Sequence, residues 1–289
     1  MAETTKTPVT ILGLGAMGQA LAATFLKAGL PTRVWNRTPG KDADLLAAGA
    51  VGGATVAEAI DADGPIIAVL LDHASVHATL DPVADRLAGR QLINLTSTAP
   101  GEARELATWT ASHDCDYLDG GIMAVPPMIG QPGASILYSG SQAVFDAHRE
   151  TLELLAAAEY FGDDAGFAST YDFALLATMY AMFGGFMHGA AMMRSVGVSA
   201  ADFGRRATAW VTAMAQSLPD QGQVIDSATY TDPVQSIAFH KAALDAITRA
   251  SRDANVTLDF VAPMKTLLDR QVADGHGALG FERIFEELR

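Results

Sequence analysis

Three groups of residues in this chain have types and spacings that could do chemistry. The first is Gly13-Leu14-Gly15-Ala16-Met17-Gly18, a GxGxxG run that directly follows the apolar stretch Val9–Gly13 and opens a helical pattern ended by Gly29. Glycine at its first position permits a tight turn, at its second lets backbone approach a pyrophosphate, and at its third lets helix and strand pack closely. The N-terminus of the helix that follows attracts the phosphate charge. A glycine-rich turn without a ligand is the plainer alternative; a strand before it and a helix after it favour a dinucleotide.

The second group ends the next strand pattern, Thr32–Trp35, and reads Trp35-Asn36-Arg37-Thr38, with Lys41 just beyond. An NAD enzyme usually places a carboxylate here to hold the ribose hydroxyls. Arg37 can instead stack on adenine and pair with a 2′-phosphate. Arg33, Arg37 and Lys41 form a basic cluster, and the next basic residue is Arg86. The expected cofactor is therefore NADP(H), with Asn36, Arg37, Thr38 and Lys41 at its adenosine end, against the alternative of a solvated basic loop.

Asp172 and Tyr180 make up the third group. Eight residues is a little over two helical turns, so they share one face of the helix patterned over 167–195. An acid and a phenol in apolar surroundings can bind a cationic nitrogen and donate a proton. The same spacing also suits a core aromatic and an acid favoured by the helix dipole, and spacing alone does not separate the two.

Other proton-handling schemes are disfavoured. No tyrosine is followed by lysine at Tyr-x-x-x-Lys spacing, and there is no lysine between Lys41 and Lys241, so the lysine that two-domain hydroxyacid dehydrogenases place early in the connecting helix is missing. His73 and His77 could share a helical face, yet no Cys or acidic partner has ligand spacing nearby, and no metal is expected. His113 and Cys115 lack a positioned third group.

These groups need elements to position them. Strand patterns at Pro65–Leu71, Gln91–Leu95, Tyr117–Asp119 and 134–139 alternate with helical stretches through the first half, which indicates βαβ units and a mostly parallel sheet. Ligands of such sheets sit beyond the carboxyl ends of the strands. That rule puts Leu70, Leu71, Asn94, Thr96 and Ser97 near the nicotinamide half, with Gly120-Gly121 allowing another close backbone approach. After about Phe161 the strand signals stop and the spacing is helical over 167–195, 201–218, 234–254 and 257–274, with breaks at 197–199, 219–220 and 231–233. The fold expected is α/β: an N-terminal Rossmann dinucleotide-binding domain over 1–162, a long inter-domain helix over 163–195 and an all-helical C-terminal domain over 196–289.

Composition narrows the function classes. With 49% hydrophobic and 18% charged residues the chain can bury a core and is not a disordered polyelectrolyte. A net charge of −14 argues against nucleic acid as a partner. The single cysteine, Cys115, excludes an internal disulfide framework and suggests a reducing, cytoplasmic compartment. From Phe173 to Met193 there are 21 residues without Asp, Glu, Lys or Arg, long enough to span a bilayer. The run also contains Gly184-Gly185, Tyr180 and His188, and the N-terminus has no basic-then-apolar signal segment, so the expectation is a helix buried on all sides in a protein without a membrane partner.

Taken together, the motifs resemble the NADPH-dependent imine reductases and reductive aminases of the β-hydroxyacid dehydrogenase superfamily. The carriers are GLGAMG with WNRT, NLTS at Asn94–Ser97, GGIMAVPPMIG at Gly120–Gly130, YDFALL at Tyr171–Leu176 and the closing GFERIFEEL. The resemblance implies a two-fold homodimer in which the long helix carries the C-terminal domain across to the partner, so that each site is shared between subunits. It implies that Tyr180, matching the tyrosine subgroup, donates a proton or positions the nitrogen, that Asp172 handles the amine or iminium charge, and that Asn94 orients the substrate. Met123, Trp210, Met214, Phe239 and His240 fall where the family lines its pocket; ordinary packing is the alternative for each, and some reductive aminases carry Gln near His240. The activity implied is reduction of a small hydrophobic imine, with reductive amination of a ketone plus an amine as an extension. The competing readings are a hydroxyacid or carbonyl oxidoreductase and a non-catalytic NADP(H) sensor.

Overall fold

Residues 7–289 are described by a computed structural model of the chain. The first part alternates strand and helix: β1 (Val9–Leu12), α1 (Ala16–Lys27), β2 (Thr32–Trp35), α2 (Ala43–Ala47), β3 (Val51–Gly52), α3 (Val56–Ile60) and β4 (Ile66–Ala68). It continues with α4 (His73–Leu80), β5 (Gln91–Asn94), α5 (Pro100–Ala111), β6 (Asp116–Met123), β7 (Ser135–Gly140), α6 (Gln142–Leu152) and β8 (Ala157–Tyr160). The strands form one 8-stranded sheet in the order β3-β2-β1-β4-β5-β6-β7-β8, parallel throughout except where β6 meets β7. This is the Rossmann-like architecture that the alternating pattern predicts.

Side chains alternate across the sheet, and both faces are covered. Ile11, Ile67 and Ile93 pack on one side with Leu21 and Phe25 of α1, while Leu12, Ile66, Ala68 and Leu92 pack on the other with Leu80 and Leu106. Two strands carried no clear apolar run: β3 is two exposed residues, and β8 is only half-buried. β6 runs beyond the expected Tyr117–Asp119, because Gly120 and Gly121 stay extended and pair with Tyr138 and Leu137 of β7.

α7 (Gly166–Ser195) leads into α8 (Ala200–Ala215), α9 (Leu218–Ser227), α10 (Ile237–Asp253) and α11 (Ala262–Ala273). Pro219 lies in the first turn of α9, where its missing N–H costs nothing, so it starts a helix instead of only marking a gap. The chain divides into two compact units inside α7, the first ending at Leu176 and the second beginning at Ala177. In the second unit Gly184 seats the ring of Phe260 and Gly189 that of Phe203; a Cβ at 189 would lie 2.8 Å from the Phe203 ring. Lys241, Asp245, Lys265 and Asp269 lace α10 to α11 with contacts of 2.6–3.3 Å. By length and composition α7 could cross a membrane. The expectation of a helix buried on all sides fails for the single chain: Tyr180 and Met187 are 66% and 67% exposed.

Phe25 is fully buried at the centre of the larger core cluster. Phe25→Ala should destabilise the first unit by about 3–5 kcal/mol, read as a shift of its urea midpoint.

Candidate active site

The glycine-rich turn does what its spacing requires. Gly13 has φ +102°, and a Cβ on it would strike the carbonyl of Val69; a Cβ on Gly18 would strike the carbonyl of Gly13. Gly15, by contrast, faces open space and caps α1 without any side-chain acceptor, so the first amides of that helix are left for a ligand. Ala16 is exposed and Met17 half-buried in this first turn, while Leu14 is buried.

Beside this turn lies a cleft of about 290 Å³ bordered by Gly13, Gly15, Asn36, Arg37, Thr38, Leu70 and Leu71, all expected from the sequence. Trp35, Val69, Ser75 and Thr79 also border it; the two hydroxyl residues come from α4, whose sequence carried no cofactor signal. Asn36 is a bracket. Its Oδ1 accepts from the Leu14 N–H at 2.9 Å and its Nδ2 donates to the Thr38 carbonyl at 2.9 Å, fixing the turn against the loop after β2. Arg33 leaves the basic cluster, since its guanidinium donates to the Glu58 carbonyl at 3.0 Å. Arg37 and Lys41 are exposed and, among the described residues, form no ion pair.

At the carboxyl end of β5, beside Tyr117 and Asp119 in the first half of β6, lies a buried polar network. Leu70 N–H donates to Thr96 Oγ1 at 2.9 Å, and Thr96 N–H donates to Asn94 Oδ1 at 3.2 Å. Asn94 Nδ2 reaches Tyr117 Oη and Asp119 Oδ1, each at 3.1 Å. Asp119 also accepts from Tyr117 Oη at 2.6 Å and from Ser169 Oγ on α7 at 2.7 Å. Asn94 is fully buried, and its carboxamide serves these neighbours. Ser97 is exposed.

One turn after Ser169 stands Asp172, buried against Gly121, where an added Cβ would lie 2.8 Å from the Asp172 Cβ. Burial pushes its carboxyl up to about 6, and it has no hydrogen bond among the described residues. Asp119 is also raised to about 6: burial dominates, the bonds from Tyr117, Ser169 and Asn94 oppose it, and the charge of Asp172 adds to it. Asp119, Tyr117 and Ser169 were not anticipated. An acid inside the apolar run Tyr117–Gly121 was the available signal.

Met123 ends β6, half-buried. Tyr180, Trp210, Met214, Phe239 and His240 belong to the second unit, so the structure does not gather them with Asp172 inside one unit. There Trp210 borders an apolar groove of about 800 Å³ with Phe186, Phe203 and Val211. His240 packs its ring on Phe281 at 4.6 Å, and burial holds its pKa below the ordinary value.

Comparison with known proteins spans residues 8–289. Residues 164–289 match the NADPH-dependent reductive aminase-like C-terminal domain, and residues 8–166 match the NAD binding domain of 6-phosphogluconate dehydrogenase. The chain is 38% identical to an NADPH-dependent reductive aminase of Aspergillus oryzae over 97% of each sequence. A reductive aminase from Aspergillus terreus in complex with NADPH4, cyclohexanone and allyl amine superposes with a TM-score of 0.94 at 40% identity, over 99% of this chain and 100% of the other. An imine reductase from Aspergillus terreus with NADPH4 and dibenz[c,e]azepine gives 0.90 at 41% identity, over 98% and 100%.

Arg37→Ala should weaken NADP⁺ binding about ten- to hundredfold and leave NAD⁺ binding nearly unchanged, measured by fluorescence titration. The two raised acids also set a pH trend. Each is ionised above 3.8 in the unfolded chain but only above about 6 when folded, so the folded state holds extra protons in between. Their contribution to stability should be full below 3.8 and decline as pH rises through 6, and Asp172→Asn should flatten part of that decline in thermal melts.

Proposed function

The chain belongs to the family of NADPH-dependent reductive aminases and imine reductases, and from that premise we propose how its own residues carry out the reaction. It is an NADPH-dependent oxidoreductase that reduces C=N bonds to amines. The cofactor, when bound, supplies the hydride. Gly13, Gly15 and the amides opening α1 hold its pyrophosphate, and Arg37 with Lys41 holds the 2′-phosphate.

The observation that carries the reading is Asp172. A buried carboxylate without a hydrogen-bonded partner is costly, and a cationic iminium or ammonium nitrogen relieves that cost. Asp119 beneath it adds a second acid. This environment repels a carboxylate substrate, which speaks against a hydroxyacid. Asp172 receives the cationic nitrogen, Asn94 holds the floor of the site, and Tyr180 donates a proton or positions the nitrogen. The substrate is a small ketone plus an amine, or the imine they form.

A second copy of the chain completes each site. On the second unit Tyr180, Met187 and Trp210 are each about two-thirds exposed, a concentration of apolar surface that marks an interface. A bilayer fits poorly, because α7 begins with Ser169 and Asp172 buried in the first unit and is later packed by Phe203 and Phe260. In the homodimer, Met123 of one subunit's first unit would meet Trp210, Met214, Phe239 and His240 of the partner's second unit across the substrate. This arrangement keeps the division into a cofactor domain, a connecting helix from 163 to 195 and a C-terminal dimerisation domain. A cytoplasmic location accords with Cys115, whose buried thiol is raised to about 11.

NADPH consumption with a cyclic imine, and with cyclohexanone plus a primary amine, tests the activity. Asp172→Asn should lower kcat/KM about 10²–10⁴-fold and erase the fall in rate below pH 6. Absence of turnover with both substrate sets, in protein that binds NADPH, would overturn the reading, and a monomeric mass by light scattering would overturn the shared site.

A further inference from the structure

Among the described residues, away from the cofactor cleft and the acid network, one cluster of side chains of metal-ligating types takes no part in the proposed reaction. His73 and His77 sit one turn apart on α4, and Glu105 of α5 meets them both. Glu105 Oε2 lies 3.0 Å from His77 Nε2 and 3.4 Å from His73 Nε2, and one donor atom from each residue falls within 4.8 Å of the others. Ligands held about 2.0–2.2 Å from a tetrahedral zinc are roughly 3.3–3.5 Å apart, so two edges of the triangle already approach that length. The objection raised by the sequence, that no acid stands at ligand spacing, fails because the acid arrives from the next helix.

We propose that His73, His77 and Glu105 form a divalent-cation site of the zinc class that staples α4 to α5. Two further features support it. Asp81 Oδ1 is 2.9 Å from His77 Nδ1, the outer carboxylate that fixes a ligand imidazole with its proton on Nδ1 and its lone pair on Nε2. Among the described residues His73 reaches one polar partner, Glu105, through Nε2 at 3.4 Å, which leaves the lone pair of that nitrogen for a cation.

The donor set, two histidines and one carboxylate, suits zinc, copper or nickel better than magnesium or calcium. All three side chains reach solvent, which leaves room for a water as fourth ligand. Residue 74 is alanine, so the histidine pair lacks the adjacent acid that serves as a base for hydrolysis in the His-Glu-x-x-His pattern. Ser75 and Thr79 of the same helix border the cofactor cleft, so a staple on α4 also steadies that wall.

The test uses full-length, tag-free protein stripped with a chelator and titrated with zinc against a chromophoric competitor. One zinc per chain in the micromolar range or tighter is expected, with a rise in melting temperature at saturation. His77→Ala and the double variant His73→Gln/Glu105→Gln should lose both effects, and Asp81→Asn should weaken binding about 10–100-fold. Wild-type NADPH-dependent turnover of each variant in chelator shows that it has folded. The proposal is overturned if the native chain binds no zinc in that range, if His77→Ala binds it equally well, or if zinc binds without raising the melting temperature.

Discussion

The site depends on one continuous hydrogen-bonded chain that runs from the cofactor cleft into the long helix. It begins at the amide of Leu70, passes through Thr96, Asn94 and Asp119, and ends at Ser169. In a low-dielectric interior a fully satisfied network of this kind is rigid, whereas a half-satisfied one is expensive. Asn94 is the node: its Oδ1 accepts from the strand end and its Nδ2 donates to Tyr117 and Asp119. The head of α7 is thereby fixed against β6, and Gly121 permits the close approach that seats Asp172. Asp172 itself stands outside the network, which is why its charge is available for a ligand.

This arrangement gives Asn94 and Asp172 different work although both are buried polar residues on neighbouring elements. The donors of Asn94 are spent on the protein, so in the proposed reaction its part is to hold the floor of the site. Burial raises both acids to about 6, and the charge of Asp172 adds to the rise at Asp119. A cation entering above them is favoured by both, and an anion is opposed by both.

The parts legible in the sequence were those with local rules. GxGxxG after a strand, the basic loop after β2 and the alternation of strand and helix each follow from steric or electrostatic demands a few residues wide. β3 and β8 were missed because, at the edge of the sheet and half-exposed, they have no apolar run to announce them. Pro219 read as a break because its helix-starting use is visible only with the helix that follows. Glu105 could not be paired with His77, nor Asp119 with Ser169, because sequence separations of 28 and 50 residues are bridged only by the packing of helices and strands.

Charge placement connects the acidic composition to the chemistry. Many basic side chains are committed elsewhere: Arg104 to Asp164, Lys241 and Lys265 to Asp245 and Asp269, and Arg33 to the carbonyl of Glu58. Arg37 and Lys41 are left exposed after β2, while Asp119 and Asp172 gather at β6. With β1, β4 and β5 between them in the sheet, the two poles stand roughly 19 Å apart at ~4.8 Å per strand. An anionic dinucleotide is drawn to one pole and a cationic nitrogen to the other, along a single edge formed by the carboxyl ends of the strands. The proposed cofactor orientation, 2′-phosphate at β2 and nicotinamide toward β5, follows this separation of charge. The reverse orientation would set phosphate against buried acid.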